Sequence, residues 1–94
     1  MMPVKSITII LHLPLSKSLK NKRSIIKSII QKVQNKYNVS ISEIDNNEKW
    51  KSATIGISII SNKMSYIKKQ LSDIIYFIEN NYIDIEITKI EDYY

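Results

Sequence analysis

The chain contains no cysteine, one histidine, one glycine, two prolines and one arginine among its 94 residues. Without cysteine there is no disulfide scaffold, zinc finger, iron–sulfur site or thiol nucleophile. One histidine excludes a multi-histidine metal centre. The scarcity of glycine and proline excludes collagen-like, linker-like and glycine-rich classes. Long hydrophobic runs are also missing. The stretch from Ile7 to Leu13 is broken by Thr8 and His12 and is far shorter than the roughly 20 residues that span a bilayer. Lys5 could mimic the basic flank of a signal peptide, but no small-residue cleavage site follows and Lys17 arrives at once. The expectation is a cytoplasmic protein without membrane or cofactor.

What remains suits one domain over residues 1–94. Hydrophobic residues make up 44% and charged residues 24%, ordinary values for a globular domain. Isoleucine and lysine dominate, as in proteins of AT-rich genomes.

Four strands and two helices follow from periodicity. Ile7, Ile9, Leu11 and Leu13 alternate with Ser6, Thr8, Ile10 and His12, which predicts a half-buried strand ended by Pro14. A helix follows to about Lys36, starting near Ser16 or Ser18, with Ser18 as N-cap and Asn38 as C-terminal stop. Its apolar face carries Leu19, Ile26, Ile30, Val33 and Tyr37, widened by Ile25 and Ile29. Val39 to Ile44 reads as a second strand, residues 45–49 as a loop, and Ser52 to Ile60 as a third strand. A second helix runs from Asn62 to about Asn80 on Met64, Ile67, Leu71, Ile74, Ile75 and Ile78. The last strand is Ile83 to Ile90, with Ile83, Ile85 and Ile87 inward, and residues 91–94 form a mobile tail.

The order βαββαβ, with one apolar stripe on each helix, predicts an α+β ferredoxin-like sandwich. Its four-stranded antiparallel sheet carries both helices on one face. Parity leaves the open face to hydroxyl residues, Gly56 and a few isoleucines (Ile10, Ile44, Ile60). No aromatic residue falls within the strands of that face. Stacking of RNA bases as in an RNA-recognition motif is therefore not expected. The face is either solvated or a surface for a homodimer or another partner.

Charge is uneven. Residues 1–42 carry +8 with no acidic residue, whereas residues 43–94 carry −3. Lys17, Lys20, Lys22 and Arg23 crowd the start of the first helix, and Lys27 extends them along one side. Cations are disfavoured at a helix N-terminus, so an anion such as nucleic-acid phosphate would relieve them. Arg23 alone offers a bidentate fork, for phosphate or for a carboxylate such as Glu43. His12, at the end of the first strand, is a structural hydrogen-bonding residue, a phosphate contact or a catalytic group without an identifiable partner. Trp50 either caps the core or anchors a partner.

Several segments together resemble the bacterial YlxP-like family, a domain of unknown function. They are His12-Leu13-Pro14, Ser18-Leu19-Lys20-Asn21-Lys22-Arg23, residues 38–44, and Trp50 with Ala53-Thr54-Ile55-Gly56. Asn21 stands where the family often has Asp, which weakens a capping box with Ser18. The resemblance implies a ferredoxin-like fold and no established catalytic residue. Genes of the family often lie beside those for translation initiation factor two and ribosome-binding factor A, which implies a role near translation or the ribosomal small subunit.

The leading expectation is a non-enzymatic RNA- or ribosome-associated factor. Its phosphate contacts would be Lys17, Lys20, Lys22, Arg23, Lys27 and His12. A protein-interaction or homodimer module using the open sheet or Trp50 is the alternative. An enzyme of acylphosphatase type is disfavoured, because Gly56 is the only glycine and a glycine-bearing phosphate cradle is absent.

Overall fold

A computed structural model describes residues 2–45 and 48–94. The elements are β1 (Val4–His12), α1 (Leu19–Lys36), β2 (Ser40–Asp45), β3 (Ser52–Ile60), α2 (Met64–Asn81) and β4 (Glu86–Asp92). The strands form one sheet in the order β2-β3-β1-β4, and every neighbouring pair is antiparallel. This is the α+β ferredoxin-like arrangement expected from the pattern. Among the described residues no helix is long and apolar enough to cross a membrane.

The core lies between the sheet and the helices. Ile7, Ile9, Leu11 and Leu13 of the first strand region, and Ala53, Ile55, Ile57 and Ile59 of β3, are all buried. They meet Ile26, Ile29 and Val33 of α1 and Ile67, Leu71, Ile74 and Ile78 of α2. Alternation with period two on the strands, against spacings of three and four on the helices, brings these residues to one layer.

The start of α1 is well capped. Ser18 Oγ accepts the Asn21 N–H at 3.0 Å, and Asn21 Oδ1 accepts the Lys17 N–H at 3.2 Å. Asparagine therefore completes a reciprocal cap, one residue earlier than the usual box. Asn21 thus contributes to the helix start through the Lys17 N–H rather than through that of Ser18. Ser18→Ala should cost about 0.5–2 kcal/mol, read as a lower midpoint in urea unfolding. An unchanged midpoint would remove Ser18 from this role.

Two ends differ from the sequence expectation. Helix α1 does not stop on a left-handed Asn38. Its C-cap is Tyr37, in extended backbone, with its N–H on the Val33 carbonyl at 2.8 Å. The chain turns directly into β2, and no described residue has positive φ. The last strand is also displaced toward the C-terminus. Tyr82 packs on α1, its hydroxyl 2.8 Å from Ser28 Oγ and its ring under Lys32 Nζ. The Ile85 N–H then returns to the Tyr82 carbonyl. That turn throws Ile83 outward, 91% exposed, so Ile83 is not an inward residue. Ile85 and Ile87 do pack against the core.

Beyond the turn, β4 reaches Asp92 and pairs with β1 through a bulge between Ile10 and Leu11. Thr88 Oγ1 donates to the Ile10 carbonyl there. The chain continues to hold: Tyr93 N–H and Tyr94 N–H both donate to the Ser6 carbonyl, at 2.8 and 3.2 Å. The backbone after residue 90 is thus tied to β1 rather than loose.

At the far ends of the helices, Tyr37 and Phe77 meet edge to face, with Lys36 over both rings. Burial and the Asp73 carboxylate raise the Tyr37 phenol above its ordinary pKa, and Lys69 acts the other way.

Candidate nucleic-acid interface

Five of the six cationic or imidazole candidates stand where a ligand could reach them. Lys17, Lys20, Arg23 and Lys27 are exposed and His12 is half-buried. Lys20, Arg23 and Lys27 are spaced by three and four residues, which places them on one side of α1. The first turn holds no acidic residue, and none of these four cations makes an ion pair among the described residues. The Arg23–Glu43 pair considered from the sequence does not form.

Lys22 is the correction. Its side chain is 1% exposed, and Nζ donates to the Ser52 carbonyl at 3.0 Å. Lys22, Ile26, Ile29 and Val33 are the buried residues of α1. Their spacings of four, three and four put Lys22 on the apolar stripe. The aliphatic stem packs as a hydrophobic residue does, and the ammonium reaches the first residue of β3. Lys22 belongs to the fold and is no phosphate contact. The helical spacing carried that signal, since the stripe extended backward from Ile26 falls on position 22.

The same end of the sheet gathers His12 and the turn before β3. His12 Nδ1 lies 3.1 Å from the Lys51 carbonyl, which also accepts the Leu13 N–H at 2.9 Å. An Nδ1–H donor is the tautomer that this carbonyl fits, leaving Nε2 as the acceptor. His12 faces Ser52 on β3 and Glu86 on β4 in the ladder. Trp50 is 53% exposed and does not cap the core. Lys51 beside it is exposed and adds a cation that counting along α1 missed. The interleaved Lys49-Trp50-Lys51 was its signal. Of the loop 45–49, Asn46 and Asn47 lie outside the described residues. Among the described residues no cluster of acidic and histidine side chains could hold a metal.

Hydrogen bonds thus tie three segments together: α1 to Ser52 through Lys22, and β1 to Lys51 through His12 and Leu13. The arrangement presents separated cations, an imidazole and an indole on one end of the molecule. That set can bind phosphate and stack on a base.

A family model described as "Protein of unknown function (DUF503)" matches residues 4–92. The chain is also similar to the uncharacterized protein YlxP of Bacillus subtilis (strain 168). The two are 41% identical over 63 residues, which is 67% of this chain and 68% of that protein.

Proposed function

Since the chain belongs to the DUF503 family, whose function is unknown, we propose from its own surface that it is a non-enzymatic RNA-binding protein. It holds the phosphate backbone with Lys17, Lys20, Arg23 and Lys27, and the small ribosomal subunit is its proposed target. The observation that carries this reading is the exposed basic side of α1, where no carboxylate pairs with these four cations among the described residues. Surface cations on a folded protein commonly sit beside acids. Here residues 1–42 contain none.

Phosphate contacts position a nucleic acid without reading its sequence, so affinity should depend steeply on salt and weakly on sequence. The test is fluorescence anisotropy with small-subunit ribosomal RNA fragments over a salt series. The comparison is the triple variant Lys20→Gln, Arg23→Gln and Lys27→Gln, which leaves Lys22 in place. Parent binding should weaken along a log–log line as salt rises. The variant should bind more weakly with a slope lower by roughly 2–3, near 0.7–0.9 for each phosphate no longer neutralised. Equal binding and equal slopes would overturn this site.

A further inference from the structure

Trp50 is the chain's only tryptophan, and the fold leaves it more than half exposed. An indole is worth most to a protein when it is covered, in a core or by a partner. No ring or cation packs on this one among the described residues. Its backbone is nevertheless held. The carbonyl of the next residue, Lys51, accepts the Leu13 N–H and lies 3.1 Å from His12 Nδ1. The carbonyl of Ser52, two residues on, accepts Lys22 Nζ. The ring therefore stands on a fixed turn, so little backbone freedom is lost when a ligand covers it.

Charge around the indole has a direction. Lys49 and Lys51 flank it, with Glu48 in the same turn. Residues 13–23 contain Lys17, Lys20, Lys22 and Arg23 and no acidic residue. The bond from Lys22 to Ser52 sets the start of α1 beside this turn, and Ser52 is at most about 7 Å of chain from Trp50. Two further acids stand on the other side. Glu86 is opposite His12 and Asp45 is opposite Thr54. His12 and Thr54 alternate with the buried Leu11 and Ala53, so both acids lie on the open face of the sheet. The surface is thus positive from Trp50 toward α1 and negative from Trp50 toward the open sheet.

We infer that Trp50 stacks on one unpaired base of the RNA whose phosphates α1 holds. The strand runs from the Trp50 turn toward Lys20 and Arg23 and away from the open sheet. The inference rests on the RNA-binding reading and names the form of RNA: a single-stranded loop or end. In a duplex each base face is covered by its neighbours, so a lone surface indole meets only a base that has left the stack. Every base has a π-face, so stacking adds affinity with little sequence preference. The flanking cations favour a ligand that carries phosphate next to an aromatic ring. A lipid surface fits less well, because interfacial binding uses an exposed apolar helix face and the apolar stripes of α1 and α2 are both buried in the core.

With one tryptophan in the chain, indole emission reports on Trp50 alone. The parent is titrated with a single-stranded RNA octanucleotide and with a duplex of equal length, following that emission and the anisotropy of a label on the RNA. The single strand should quench the indole, and the duplex should bind without quenching it. Trp50→Ala should lose roughly 5- to 150-fold on the single strand, the range for one base stack, and nothing on the duplex. Trp50→Phe keeps a ring and should retain most of the affinity. Circular dichroism confirms the fold of each variant. The α1 triple variant should weaken on both ligands, with the quench still reached at saturation. Single-strand binding with unchanged emission, and with Trp50→Ala equal to the parent, would overturn the stacking and leave the basic site standing. An equal loss on the duplex would also overturn it. Absence of binding to either RNA would overturn both the stacking and the basic site. Emission that ignores RNA but shifts to the blue with anionic vesicles, or with protein concentration alone, would assign the ring to a lipid surface or a second copy and overturn the inference.

Discussion

Lys22→Ala should lower the stability of the protein by about 2–4 kcal/mol, whereas Lys20→Ala, two residues earlier, should change it by about 0.5 kcal/mol or less. For a chain of this length that difference corresponds to a fall in melting temperature of roughly 10–25 °C. The large effect has two sources. The stem of Lys22 fills space beside Ile26 on the buried side of α1, so its removal leaves a cavity. The ammonium donates to the Ser52 carbonyl and ties the start of α1 to the first residue of β3. Lys22→Met keeps most of the stem and loses only the charged head. It should cost about 1–2 kcal/mol, since shedding a buried charge offsets part of the missing hydrogen bond. Urea unfolding followed by circular dichroism measures all three. A Lys22→Ala protein as stable as the parent would mean that the side chain is exposed in solution, and Lys22 would return to the basic surface.

The same residue shows why charge counting along a helix misleads. In the sequence, Lys20, Lys22 and Arg23 form one basic cluster. On the helix, Lys22 is rotated onto the apolar stripe while Lys20 and Arg23 stay exposed. A variant that neutralises Lys22 together with its neighbours would lose the proposed RNA binding by loosening the fold. That loss would be mistaken for the removal of a cation that touches phosphate.

The fold was largely legible because its signals are local. The inward set Ile7, Ile9, Leu11, Ala53, Ile55, Ile57 and Ile59 keeps strict alternation within each strand, and all of it is buried. The last strand was harder to place because it depends on a tertiary event. Tyr82 docks on α1 and the chain turns at 82–85, which no period of two contains. A trace was present: the step from Ile87 to Ile90 is three residues, where unbroken alternation would give two. Between these two residues, in the β4 ladder, lies the shift that leaves Ile87 opposite Leu11 and Ile90 opposite Ile9. Tyr93, which stands beside Ser6 and Thr8 on the open face, was hidden for the same reason. Tyr93 reaches the open face only because the pairing with β1 continues past residue 90. The absence of strand aromatics correctly described β1 to β3 and missed the ring that the end of the chain supplies.

Ile55→Ala should destabilise by about 2–5 kcal/mol and Ile83→Ala by about 0.5 kcal/mol or less, although both isoleucines sit in apolar alternations of the same kind. Ile55 is fully buried on a central strand, opposite Ile9 on β1 and Glu43 on β2. Truncation there opens a void under both helices, and neighbouring strands on either side prevent the backbone from closing it. Ile83 is 91% exposed at the turn before β4, so nothing is uncovered by its loss. Ile55→Val, which removes one methylene, should fall between them at about 0.5–1.5 kcal/mol. Chemical unfolding of the three variants checks the order, and an equal loss at Ile83 would mean that the segment 82–85 packs inward in solution. The contrast also calibrates the binding experiments. A domain holds only about 5–15 kcal/mol in total, so under the proposed function Ile55→Ala should release RNA by populating unfolded chains, with the loss growing on heating. Loss of binding in the α1 triple variant should instead persist at low temperature with the fold intact, because the cations it removes lie outside the core.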